Sequence, residues 1–244
     1  MKKYVLAISF SALFLASCAQ VPEKMGENPD DPWEAFNRQT YAFNMKLDDY
    51  VAKPVAQVYA DYVPRPVRTS IGNFFNNLTE PRNILNNALQ AKPGPAAHSF
   101  WRFVVNTTLG IGGLFDVAKH LDLPPMPEDF GQTLAVWGVS DGPYVVWPIF
   151  GSSTVRDTAG LIADYAVKPQ TYLFEDHWAL PVGLWALDAV DTRASLIGPD
   201  EILRSAIDPY VAVKNAYQQS RQNAVYDGNP PLELMKDEFE DEEE

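Results

Sequence analysis

A thiol, three imidazoles, a glycine-rich turn and a carboxylate pair are the groups in this chain whose types and spacing could do chemistry. Cys18 is the only cysteine, so neither an intramolecular disulfide nor a multi-cysteine zinc site can form. His98, His120 and His177 fall in no His-Glu-x-x-His pattern, the spacing that would set two imidazoles on one helix face around zinc. Gly110, Gly112 and Gly113 suggest a dinucleotide loop, but Phe115 stands where the third glycine belongs and no parallel-strand pattern surrounds it. FGSSTV at 150–155 lacks the G-x-S-x-G turn that lifts a serine nucleophile clear of its sheet. Asp48 and Asp49 are adjacent, so on a helix they face different sides and read as solvated. A nucleophile assembled from distant residues stays open, with no motif pointing to one. The expectation is a protein with no catalytic residue, metal or cofactor.

The setting of Cys18 gives it another chemistry. Lys2 and Lys3 precede an apolar run from Tyr4 to Leu15, and small residues follow it, the layout of a secretory signal peptide. Twelve apolar residues are too few to span a bilayer core of about 30 Å. Leu15-Ala16-Ser17-Cys18 resembles a bacterial lipobox, which implies cleavage before Cys18 and acylation of its sulfur and new N-terminus. Two or more acyl chains hold a protein stably on a membrane. Ala19 follows the cysteine where an Asp would retain an enteric-type lipoprotein at the inner membrane, so the resemblance points to the outer membrane, periplasmic side. The expected organisation is a signal peptide over 1–17, an acylated N-terminus and tether over 18–30, one helical domain over 31–228 and an acidic disordered tail over 229–244.

Of the 244 residues, 46% are hydrophobic and 21% charged, which predicts a folded body. The net charge is −13, and seven negatives lie in the last eight residues, Asp237 to Glu244. Such a balance argues against nucleic acid, which takes a basic patch, and against attachment through basic residues to anionic lipid. No later run reaches the length of a membrane-spanning helix, and the repeated ten-residue alternation of a membrane barrel is missing.

Helical spacing dominates the body, cut into short pieces by 20 prolines. Asp31, Pro32 and Glu34 read as a cap, a first-turn proline and a capping box. Residues 68–91 read as two helices meeting near Pro81, and 94–121 as two more joined at Gly110–Gly113. Val155, Ala159, Ile162 and Ala166 form one face of a helix. Residues 200–225 read as one long helix bent at Pro209, and 176–196 as an apolar helix. Tyr144–Phe150 is the one β-like piece. Helices apolar on more than one side suggest a curved, flat all-α body with some faces out of water.

Four stretches carry a family resemblance: DPWEAFNR at 31–38, NFFNNLTEPRNILNNALQ at 73–90, RFVVNTTLGIGGLFDVA at 102–118 and EDFGQTLAVWGVSDGPYVVWPIFGSSTVRD at 128–157. Together they resemble the MlaA (VacJ) family of outer-membrane lipoproteins over roughly 31–220. The acidic tail and the segment near Trp178 and Trp185 depart from it. The resemblance implies an all-α, ring-like protein of many short helices lying in one leaflet of the outer membrane. It further implies a channel that passes mislocalised phospholipid to a soluble periplasmic carrier, MlaC, beside a trimeric porin, with no reaction on the lipid. A periplasm-facing scaffold and a lipid hydrolase are the alternatives.

Lipid transfer needs an apolar rim for acyl chains and polar atoms for the headgroup, because a stranded polar group costs several kcal/mol. Trp137, Tyr144, Trp147 and Phe150 surround turns at Gly138, Gly142-Pro143 and Pro148. With Asp141 they are expected on a mobile or membrane-facing hairpin, since Trp and Tyr favour the interface; an ordinary core corner is the alternative. Lys168 is a candidate channel charge. Asp31, Trp33, Asn37 and Arg38, with the pairs Arg156-Asp157 and Glu128-Asp129, are expected to fasten helix ends.

Overall fold

The computed structural model describes residues 31–167, 169 and 179–231. The expectations for the signal peptide, Cys18, the tether, Lys168, His177, Trp178 and the acidic tail beyond residue 231 lie outside these. The described chain runs α1 (Glu34–Leu47), a π turn (Asp48–Ala52), α2 (Lys53–Tyr62), α3 (Arg65–Leu89), α4 (Pro93–Thr108) and a 3₁₀ turn (Ala118–Leu121). Then come α5 (Phe130–Val136), β1 (Tyr144–Trp147), β2 (Gly151–Thr154), α6 (Val155–Tyr165), α7 (Ala179–Ser195), α8 (Ile197–Arg204) and α9 (Pro209–Val225). The fold is all-α, with one antiparallel hairpin in which Tyr144 faces Thr154 and Trp147 faces Gly151. No described helix is long and apolar enough to cross a membrane.

Helices α3 and α4 pair along their length, and α3 also carries α5 and α7. Helix α6 lies on α5, α2 on α7, and α9 closes over α5, β2 and α8. The sequence-based boundaries fail at four places. Pro81 lies inside an unbroken α3. A proline there loses one helical bond and costs about 3 kcal/mol, yet side chains on both sides of it are tied to other elements and keep the two halves in line. The long C-terminal helix is two, because Asp208 caps α9 through the N–H groups of Tyr210 and Val211 and Pro209 takes the first position. Asp31 caps nothing with its side chain, and α1 starts behind Trp33, because that carboxylate is used in the interior. Residues 109–117 form turns, not a helix.

What lies inside differs from a water-soluble bundle. Among the described residues, twenty polar or charged ones are buried against eight apolar ones, while thirty-five large apolar side chains are exposed. The usual driving force of apolar burial therefore does not hold this body together from within. Helix α6 shows the inversion on two turns: Arg156, Gly160 and Asp164 face inward, and Val155 and Ile162 of the expected apolar stripe face outward, Ile162 at 70% exposure.

Candidate functional site

The interior is a chain of charges and amides rooted on α3. Asn77, Glu80, Asn83, Asn87 and Gln90 recur every three or four residues and so share one face; all five are buried, with Asn86 beside them. Asn77 Nδ2 donates to Thr107 Oγ1 at 2.9 Å. Glu80 accepts from Arg102 Nε at 2.8 Å and from Asn83 Nδ2 at 3.1 Å. Arg102 also reaches both Asp116 oxygens at 3.2 Å and the Leu123 carbonyl. Asn86 donates to Asp164 Oδ1 at 3.0 Å and accepts from Thr133 Oγ1 at 2.8 Å. Gln90 donates to Glu128 Oε2 at 2.8 Å, whose other oxygen takes Lys92 at 3.0 Å. Burial pushes the Glu128 and Asp164 carboxyls up, against the hydrogen bonds that favour their charged forms.

A second cluster locks α5, α6 and α9. Arg221 forks onto Asp129 at 2.6 and 3.0 Å and reaches Asp157 at 3.0 Å, which also accepts from the Tyr217 hydroxyl at 2.7 Å. Burial opposes the Asp129 charge, but the Arg221 guanidinium and the Gln132 donors outweigh it and hold that carboxyl down at about 2. The helices approach this closely because Gly160 meets Gly131: a Cβ on Gly160 would stand 2.4 Å from the Gly131 nitrogen. At the π turn, Asp48 takes Arg193 at 2.6 and 2.8 Å and also Arg204, fastening α7 and α8 to the bend. Asp31 accepts from Asn37 at 2.9 Å and from the Tyr210 hydroxyl, and Arg38 forks onto Asp208 over the Tyr210 ring. Of the residues expected to fasten helix ends, Asp31, Asn37, Arg38, Glu128, Asp129, Arg156 and Asp157 tie separate elements together, whereas the Trp33 side chain is exposed.

The hairpin is clamped by α1. Asn37 donates to the Tyr144 carbonyl at 3.0 Å and accepts from Val146 N–H at 2.8 Å. Seven residues on, Asn44 repeats the pattern with the Trp147 carbonyl at 3.0 Å and Ile149 N–H at 2.8 Å. Two side-chain amides thus stand in for a third strand and satisfy an edge that would otherwise lie open. Beyond this grip the tip presents Ile149 and Phe150, the latter 68% exposed. Phe150 also borders an apolar cleft of about 630 Å³ with Phe75, Leu161, Ile162, Val182 and Trp185, between α3, α6 and α7. That volume lies in the range of small-molecule sites, and its lining suits hydrocarbon.

The predicted residues separate accordingly. Phe150 reaches the cleft. Trp137 and Trp147 are exposed and anchored at their indole N–H groups, to the Leu89 carbonyl at 3.2 Å and Thr158 Oγ1 at 2.9 Å. Asp141, on the turn before β1, is ion-paired with Arg156 at the start of α6 and is not a free charge. Tyr144 corrects the expectation outright. It is 2% exposed because Tyr210 and Tyr217 of α9 lie against its ring, and burial raises its hydroxyl to about 12. Among the described residues no group of three His, Cys, Asp or Glu could hold a metal ion.

A family model described as MlaA lipoprotein matches residues 29–224. The chain belongs to the MlaA lipoprotein family. Curated relatives named "Intermembrane phospholipid transport system lipoprotein MlaA" share 38% identity in Shigella flexneri, over 99% of this chain and 98% of that protein. The Haemophilus influenzae relative of that name shares 36%, over 93% and 92%. A solved structure described as "Structural basis for maintenance of bacterial outer membrane lipid asymmetry" superposes with a TM-score of 0.71 at 40% identity, over 82% of this chain and 99% of that one.

Sequence reasoning missed the outward ridge Val51, Val55, Val58 and Tyr62 across the π turn and the α7 wall of the cleft. The signal was present in the α3 stripe: five amides and carboxylates at helical spacing mark the inward face, and whatever lies opposite faces out.

Proposed function

We propose that this chain is a lipid-anchored lipoprotein on the periplasmic side of the outer membrane. It takes mislocalised phospholipid from the outer leaflet through its helical body to a soluble periplasmic carrier, and so maintains lipid asymmetry. The observation that carries the reading is the inversion of polarity among the described residues: charges and amides inside, thirty-five large apolar side chains outside. Such a surface costs free energy in water at about 25 cal/mol per Å² of apolar area, and that cost vanishes among acyl chains. A body apolar outside and polar inside, lacking a described spanning helix, suits residence in one leaflet, ring-like around a passage for the headgroup. Cys18 supplies the anchor. A trimeric porin beside it and the carrier MlaC below complete the path, in keeping with the family resemblance. The lipid passes through chemically unchanged.

The test is deletion of the gene, with outer-leaflet phospholipid measured by an external phospholipase or acyltransferase. Surface phospholipid should rise, and the wild-type gene should restore it where Cys18→Ala does not. Unchanged asymmetry in the deletion strain would leave a scaffold in its place; loss of function on changing one serine, with release of fatty acid, would make it a hydrolase.

A further inference from the structure

Arg82 stands apart from the charge networks. Among the described residues its guanidinium makes no ion pair and no hydrogen bond, and its Nε is buried without a partner. The arginines that hold the fold together (Arg102, Arg156, Arg193, Arg204 and Arg221) all sit on carboxylates. A partly buried guanidinium offers five fixed donors, and leaving the buried Nε unsatisfied is costly. The nearby interior carboxylate, Asp164, is already engaged by Asn86 and by the Phe130 N–H.

Its position on α3 says what it could hold. Arg82 lies seven residues after Phe75, which lines the apolar cleft. Two turns return to the same face, about 10 Å further along the axis, and a helical side chain leans back over the turn before it, here toward Phe75. On α6, Asp164, in electrostatic reach of Arg82, adjoins Leu161 and Tyr165 of the cleft wall. The hydrocarbon lining therefore ends about two helical turns from a guanidinium that has no carboxylate partner. An acyl chain joined to a phosphate has that order of groups, and a guanidinium fork matches phosphate oxygens.

We propose that Arg82 is the phosphate-binding residue of this protein: it holds the phosphodiester of a phospholipid whose acyl chain lies in the cleft of Phe75, Phe150, Ile162 and Trp185. This rests on the transport reading above and adds to it a specificity residue and a direction for the lipid, head toward Arg82 and chain toward Trp185.

The full-length protein, purified in nanodiscs, is compared with Arg82→Gln and Arg82→Lys. Probes are spin-labelled phosphatidylglycerol, the matching spin-labelled diacylglycerol, which has the same chains and no phosphate, and inorganic phosphate as competitor. Loss of one charge-assisted contact predicts about tenfold weaker phosphatidylglycerol binding in Arg82→Gln. Arg82→Lys, which keeps the charge and loses the fork, should bind phosphatidylglycerol less tightly than wild type and more tightly than Arg82→Gln, and diacylglycerol binding should not change in either variant, which also reports that the cleft is folded. Equal phosphatidylglycerol binding by wild type and Arg82→Gln overturns the proposal, as does an equal loss of diacylglycerol. Displacement of the lipid by millimolar inorganic phosphate would make Arg82 a free-anion site and overturn the lipid assignment. The transport reading fails separately, if deleting the gene leaves surface phospholipid unchanged.

Discussion

Replacing Arg102 by Met tests whether the polar interior holds this body together. The side chain is 4% exposed and supplies Glu80 with its 2.8 Å partner. Without it, Glu80, itself 2% exposed, keeps only the Asn83 amide at 3.1 Å. Removing one member of a buried ion pair costs about 3–5 kcal/mol, chiefly through the charge left behind. For a chain of this length each kcal/mol moves the melting point by about 2–4 °C, so a fall on the order of 10 °C is expected. The second variant isolates the cause. Adding Glu80→Leu to Arg102→Met removes the stranded charge, and at least half of the loss should return, because an apolar replacement of a buried pair is close to neutral. Asp116 does not spoil the comparison: it is partly exposed and keeps Asn106 Nδ2 at 2.9 Å. Thermal and denaturant unfolding of both variants in one mild detergent reads out the result. A single variant within about 1 kcal/mol of wild type, or a double variant no better than the single, refutes the reasoning.

Three further outcomes follow from the same geometry. Gly160→Ala places a Cβ 2.4 Å from the Gly131 backbone, so α5 and α6 must separate, and unfolding should show about 1–3 kcal/mol of overpacking cost. Asp129 is held at about 2 against an ordinary 3.8; a depressed folded value means stability that is whole above pH 4 and lost as pH falls toward 2. That contribution is about 2 kcal/mol, and Asp129→Asn should flatten the acid limb of a pH–stability curve. Leu109→Asp with Phe115→Asp alters two exposed residues; the melting point in detergent should hold while binding to phospholipid vesicles, read by flotation, falls at least tenfold, since each apolar group is worth about 1.5–3 kcal/mol on burial.

The helical class, the hairpin near 144–150 and the family were legible in the sequence, because local spacing, turn residues and four long motifs encode them. The direction of each helix face was not. Val155 and Ile162 form as good an apolar stripe as any core helix, and nothing local tells whether water, protein or hydrocarbon lies over it. The asparagines of α3 held that information, since Asn77, Asn83 and Asn87 at helical spacing need partners that solvent alone would not require. Pro81 misled because the bonds that carry α3 through it come from Thr107, Arg102 and Asp164, far away in sequence. Tyr144 misled for a related reason. Its burial was set by Tyr210 and Tyr217 of α9, an element that local pattern could not bring to the hairpin.

The central claim is that the outward apolar surface lies among acyl chains. Single nitroxide labels at Val55, Ile111 and Ile162, and at Asp122 as a polar reference, in a Cys18→Ser background reconstituted in phospholipid nanodiscs, measure this by collision with oxygen and with a water-soluble nickel chelate. The account predicts oxygen-dominated relaxation at Val55, Ile111 and Ile162 and nickel-dominated relaxation at Asp122. Nickel access at all four positions would contradict it, and would mean that the inverted surface faces water or another protein instead of lipid.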